Sequence, residues 1–153
     1  MSFNLSARSR ERLQGVNRDL VRVVEQAIQI TTIDFGVTQG LRTIEQQRKY
    51  VASGASATMD SRHLTGHAVD VAAYIGRELR WDFGLYYHIA GAFRQAAKIQ
   101  AVPIRWGGCW MRLDTTSEPL PAMVARYTES ARSQGRRPLI DGPHFELPKA
   151  LYP

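Results

Sequence analysis

At 153 residues with 44% hydrophobic content, the chain has room for one compact domain with a real core and little capacity for a second. The 20 Lys and Arg against 14 Asp and Glu leave a formal charge of +6, which favours approach to a polyanion such as nucleic acid, anionic lipid or an acidic wall polymer. A single cysteine, Cys109, excludes an internal disulfide framework and any CxxC metal knuckle, and fits a reducing compartment.

The opening segment MSFNLSARSRERLQGVNRD lacks the apolar run of a signal peptide, and no stretch reaches the roughly 18 apolar residues of a membrane span. Beyond Ser6, a plausible cap, apolar residues at Leu13, Val16, Leu20, Val23, Val24, Ala27 and Ile28 are spaced by threes and fours, which predicts one helical face. Residues 31–38 are β-branched and aromatic enough for a strand; Gly36 and Gly40 then loosen the backbone before Arg42. A helix is expected over 43–52 and a surface loop over 54–60. The segment SRHLTGHAVDVAAY follows, and its second half alternates like a strand. Residues 81–100 read as a mostly buried helix, 103–106 as a short strand, Gly107 and Gly108 as a turn, and 120–134 as a further helix. Asp141, Gly142 and Pro143 carry turn chemistry before a short extended stretch.

Three of the four histidines, His63, His67 and His144, lie in polar, turn-rich segments beside an aspartate. A catalytic zinc takes three protein ligands from His and carboxylate and leaves a fourth position open. His63, Asp70 and His144 would supply such a set, although spacing alone does not choose between His63 and His67 as the partner of Asp70. Asp141 precedes His144 by three residues, so one turn could present both a ligand and a base, or Asp141 could simply close an Asx turn. Arg42, between a glycine and a helix, is placed to hold a carboxylate or a polarised carbonyl oxygen; a surface salt bridge is its commoner use. Trp106 and Trp110 flank the Gly-Gly turn and suit either a groove wall or, more often for tryptophan, the core.

These residues fall into blocks that resemble the zinc peptidases of the VanY type and the related phage L-alanyl-D-glutamate endolysins. SRHLTGHAVD at 61–70 is similar to the family's S-x-H-x-x-G-x-A-x-D signature, and GLRTIEQQ before it and RWGGCW and DGPHFE after it keep the family's order. The resemblance implies zinc held by His63, Asp70 and His144, Asp141 as general base, and Arg42 and Ser61 as substrate contacts. It also implies an α+β fold, a small antiparallel sheet carrying the site with helices packed on it, as in D-Ala-D-Ala peptidases and hedgehog-like domains. The compact size and the Asp as base point within the family to an endolysin, a single catalytic domain over residues 1–153 without a separate wall-binding domain. Such an enzyme would act as a monomer on the peptidoglycan stem peptide, with no nucleic-acid partner and no stable membrane association. It would be made in the host cytoplasm and reach the periplasmic wall after the membrane is permeabilised. The alternatives are a D-alanyl-D-alanine carboxypeptidase and a non-catalytic wall-binding domain. Cys109 stands where many relatives carry Asp, a departure that bears on specificity rather than on the metal ligands.

Overall fold

The computed structural model describes residues 2–153. In chain order the elements are α1 (Ala7–Arg12), α2 (Arg18–Ile30), β1 (Asp34–Gln39), α3 (Ile44–Ala52), a 3-10 turn (Arg62–Thr65), β2 (Ala68–Ile75), β3 (Glu78–Arg80), α4 (Phe83–Gln100), β4 (Arg105–Trp106), β5 (Met111–Arg112), α5 (Leu120–Ser133) and β6 (His144–Glu146). The strands form one antiparallel sheet in the order β1-β2-β6-β4-β5, with β3 paired to β2. The fold is therefore α+β with a small antiparallel sheet, as expected.

Of the helical face predicted from Leu13 to Ile28, only Leu20 to Ile28 lies in a helix, α2; Leu13 is the C-cap of the short helix α1 and Val16 stands in the linker between the two. Ser6 caps the first, accepting from the Ser9 amide, and Asn17 caps the second, accepting from the Asp19 amide. Between them Gly15 adopts a φ of +82°, a conformation that a continued helix does not contain. Leu13 and Val16 stay in the core across the break, which is why the apolar spacing reads as uninterrupted. The strand expected over 31–38 starts later, at Asp34, because Thr31 is occupied as the C-cap of α2. Strand β3 has no forecast in the sequence reading; it is half of a hairpin turned at Gly76, and its residues are exposed or half-buried.

Side-chain alternation along the strands sorts the sheet into two faces. Phe35 and Val37, Val69, Val71 and Ala73, Phe145, and Trp106 point into the core beneath α2 and α4. Helix α2 contributes Leu20, Val23, Val24, Ala27 and Ile28, and α4 contributes Tyr86, Ile89, Ala90, Phe93, Ala96 and Ala97. Phe145 stacks on Phe93 with ring centroids 3.8 Å apart. Truncating an aromatic buried this way typically destabilises by about 3–5 kcal/mol. The residues between the core positions, Asp70 on β2, His144 and Glu146 on β6 and Arg105 on β4, take the opposite face by the same alternation.

The short strand β4 is held by more than its ladder. Asp114 accepts from the Ile104 amide at 3.1 Å and from Arg112 at 2.6 and 3.2 Å, fastening both strands of the β4–β5 hairpin. Burial acts to raise its pKa, but the Arg112 guanidinium and the Ile104 amide outweigh it and hold the carboxyl below the ordinary aspartate value. A depressed folded pKa gives stability that is present above the unfolded value and lost as pH falls through the folded one. Asp114→Asn should therefore lower stability by about 1–2 kcal/mol at neutral pH. The gap to wild type should close below about pH 4. Thermal melts of both proteins across that range check this, and a gap independent of pH would refute the electrostatic role.

Candidate active site

Asp70 and His144 are direct cross-strand partners in the β2–β6 ladder, so the sheet register itself brings two chemically active side chains together. His144 Nδ1 lies 3.1 Å from Asp70 Oδ1. The third group comes from the 3-10 turn. Ser61 caps it by accepting from the His63 amide, and Gly66 ends it at a φ of +74°. A Cβ on Gly66 would lie 2.5 Å from the Gly15 carbonyl, so the turn packs directly on the α1–α2 linker. The His63 amide and carbonyl are also engaged, the carbonyl accepting from the Arg42 amide at 3.0 Å.

The imidazole of His63 has a defined tautomer. Its Nδ1 is 2.9 Å from the Gly40 carbonyl, and since a carbonyl only accepts, Nδ1 carries the hydrogen. The other nitrogen, Nε2, then presents a lone pair 3.3 Å from Asp70 Oδ1, buried and without a hydrogen-bond partner. Two acceptors facing each other in a buried site call for a cation between them. One donor atom from each of His63, Asp70 and His144 lies within 4.8 Å of the others. Tetrahedral zinc with ligands at ~2.0–2.1 Å has ligand atoms about 3.3 Å apart, close to the separations found here. The donor set thus fits such an ion.

Around this set the electrostatics are polarised. Burial acts to raise the Asp70 pKa, yet hydrogen bonding to His144 and the nearby His63 hold the carboxyl far below the ordinary range. For His144 burial lowers the pKa, and the carboxylates of Asp70 and Glu146 reverse this and push it up to about 9. Asp141 shows the opposite trend to Asp70: burial and the neighbouring Asp70 charge raise its carboxyl above the ordinary value.

All six residues singled out in the sequence, Arg42, Ser61, His63, Asp70, Asp141 and His144, line one cleft of about 410 Å³. Arg42 is held by Gln47, whose Oε1 accepts at 2.6 Å, and lies over the Tyr50 ring; its second terminal nitrogen is 3.8 Å from Asp70. Gln47, buried in α3, reaches on to Ser56 and the Thr58 carbonyl, so one amide positions both Arg42 and the loop that forms the cleft's far wall. His67 is turned elsewhere: its Nδ1 meets the Thr65 hydroxyl at 2.7 Å and its ring faces Tyr152. The ambiguity left by spacing resolves in favour of His63 because Gly66 reverses the chain between the two histidines.

The Gly-Gly turn seats the Asp141–His144 segment. The Gly107 amide donates to the His144 carbonyl at 2.8 Å and its carbonyl accepts from the Asp141 amide at 2.9 Å. A Cβ on Gly107 would collide with the Asp141 carbonyl, so no other residue fits. The two tryptophans divide the roles that the sequence left open: Trp106 is core, whereas Trp110 forms cleft wall, its ring 5.3 Å from His144.

Glu146 is the functional residue that motif reading passed over. It is buried, accepts from His144 Nε2 at 2.8 Å, and is itself held by Arg105 at 3.2 Å. A carboxylate on the outer nitrogen of a ligating imidazole fixes its tautomer and leaves Nδ1 free for a metal. The signal that could have found it is its parity with His144 on a strand, two residues along and on the same face.

Residues 1–148 of the chain's 153 match the family model described as phage L-alanyl-D-glutamate peptidase. The chain belongs to that family. The L-alanyl-D-glutamate peptidase of Escherichia phage T5 is 34% identical over 72% of this chain and 83% of its own length. That of Listeria phage A118 is 38% identical over 51% of this chain and 27% of the longer phage protein. Among solved structures, the L-Ala D-Glu endopeptidase ChiX of Serratia marcescens superposes with a TM-score of 0.76 at 37% identity, covering 99% of this chain and 95% of that one. The family resemblance expected from the four sequence blocks is therefore established over the fold as a whole.

If Glu146 orients His144, Glu146→Gln should weaken binding of a divalent cation by about 10–100-fold. Competition against a chelating dye measures this, and unchanged affinity would show that the carboxylate has no orienting role.

Proposed function

We propose that this family member is a zinc-dependent endolysin that hydrolyses the L-alanyl-D-glutamate bond of peptidoglycan stem peptides, with His63, Asp70 and His144 holding the metal. The observation that carries the metal assignment is the buried, partnerless Nε2 of His63 directed at the carboxylate that also meets His144. Zinc bound there would polarise the peptide carbonyl and lower the pKa of the attacking water.

The chain's own residues supply the rest. Asp141, buried beside the same cleft, takes the proton of the attacking water and returns it to the departing D-glutamyl amine. Arg42, immobilised by Gln47 and Tyr50, offers its guanidinium to the scissile carbonyl oxygen as charge develops there. The Ser61 oxygen is engaged with the His63 amide, and its hydroxyl hydrogen can donate to the substrate backbone.

We further propose that residues 1–153 act as one catalytic unit and as a monomer, without nucleic acid and without a stable membrane attachment. Among the described residues no helix is long and apolar enough to cross a membrane. On this reading the protein accumulates in the host cytoplasm and meets peptidoglycan once the inner membrane is permeabilised.

Incubation of the protein with peptidoglycan, with and without a chelator and zinc add-back, should yield chelator-sensitive fragments with new D-glutamyl amino termini and L-alanyl carboxyl termini by mass spectrometry. Release of terminal D-alanine alone would reassign the chain to the carboxypeptidases, and no cleavage with zinc present would favour a wall-binding domain. Asp141→Asn should reduce kcat by ~10²–10⁴ with zinc content unchanged; a variant that keeps wild-type kcat would remove Asp141 from the mechanism.

A further inference from the structure

A second cavity of about 670 Å³ adjoins the candidate cleft at Trp110. Arg105, Trp110 and Leu139 belong to the walls of both, so the two adjoin across these residues. The second cavity is lined by four arginines, Arg105, Arg126, Arg136 and Arg137, and by no carboxylate. Three of these have partners. Arg105 meets Glu146, Arg126 meets Glu118 at 2.7 Å, and Arg136 is held by the Gln134 amide oxygen at 2.7 and 3.0 Å. Gln134 is neutral, so Arg136 keeps its full charge, and Arg137 has no ion-pair partner among the described residues. A concave wall with this excess of positive charge focuses its field on an anion entering it.

The rim between the two cavities is fixed. Leu139 donates its amide to the Tyr127 hydroxyl at 3.1 Å, and its carbonyl accepts from the Trp110 indole at 2.5 Å and from the Tyr127 hydroxyl at 3.3 Å. Trp110 holds a φ of +54°, unusual for a residue with a side chain, and its amide donates to the Trp106 carbonyl at 2.6 Å. Such a conformation persists only where the surroundings over-determine it. The segment that carries Arg136 and Arg137 therefore runs through an immobilised Leu139 straight to Asp141 and His144.

We infer that this arginine-lined cavity is the subsite for the free carboxylate of the substrate on the D-glutamyl side of the scissile bond. The assignment rests on the L-alanyl-D-glutamate reading. A glutamyl residue linked through its amine and through one of its carboxyls retains the other as a free anion, whichever carboxyl is in the chain. The alanyl side carries no such charge. The cleft's other cations, Arg62 and Lys149, are engaged with the Leu147 and Tyr152 carbonyls and with Asp60. The arginine-rich cavity, by contrast, adjoins the cleft at Trp110, so the charged side of the bond lies there and the alanyl side lies towards Ser61 and Arg42. Guanidinium groups suit this task because they pair with carboxylates through two parallel hydrogen bonds.

The test uses two synthetic stem peptides that differ only in whether the free glutamyl carboxyl is an acid or an amide, cleaved by the zinc-loaded full chain and by an Arg136→Ala/Arg137→Ala variant. Both positions are exposed, so the substitutions spare the core. The acid peptide should show a KM raised by about tenfold or more in the variant, with kcat changed far less, because binding alone has been removed. With the amide peptide the KM values of the two proteins should converge, and zinc content should match throughout. Equal losses on both peptides, or no change on the acid peptide, would overturn the assignment while leaving the endopeptidase reading intact. A wild-type protein that cleaves neither peptide overturns the endopeptidase reading and this assignment with it.

Discussion

Everything in the site depends on the Asp70 carboxylate being flanked, inside the protein, by two imidazoles that cannot both be satisfied by it. His63 has already given its one hydrogen to the Gly40 carbonyl, and His144 has given its outer nitrogen to Glu146. What remains is a ring of lone pairs in a place where water does not reach all of them. In the absence of a cation, a proton on His144 is the group that relieves this frustration, which is why its pKa is driven upward. The arrangement is a poor way to stabilise a metal-free protein and a good way to hold a small divalent ion.

The sheet allows this without sacrificing the core, because the same strands serve both purposes by parity. Each of β2, β4 and β6 alternates between a core residue and a site residue: Val69 with Asp70, Trp106 with Arg105, Phe145 with His144 and Glu146. Packing on one face therefore sets side-chain positions on the other. Phe145 pressed against Phe93 anchors the backbone on either side of which His144 and the carboxylate of Glu146 stand. Short strands suffice because Gly107, Asp114 and the Trp106 indole, which donates to the Gly142 carbonyl, add hydrogen bonds at their ends.

The residues that meet in the candidate site were largely legible in sequence because they sit in short, compositionally unusual blocks: a serine cap, a histidine, a left-handed glycine and an aspartate within ten positions. The choice of His63 over His67 needed the family likeness, since no spacing rule expresses the direction in which Gly66 turns the chain. Glu146 escaped notice because a glutamate on a three-residue strand has no local signature, and its partner is known only once parity is known. The break between α1 and α2 was hidden for the opposite reason: Leu13 and Val16, buried on either side of Gly15, fall by chance at the spacing that α2 continues, so cap, linker and helix carry the periodicity of one long helix. The α4 and α5 boundaries were close to expectation, as apolar periodicity over a long segment and the prolines at the start of α5 are local signals.

The position of β6 has a consequence for how the protein is made. Its residues are translated after all the other strands, yet it lies at the middle of the sheet, between β2 and β4, and it carries both His144 and the carboxylate that orients it. A growing chain that has emerged through α5 holds the two halves of the sheet without the strand that joins them. Non-local pairings of this kind form late in folding. A nascent chain therefore lacks His144 and Glu146 at the candidate site until the central strand docks, and the side chains proposed for catalysis come together only as the fold is completed.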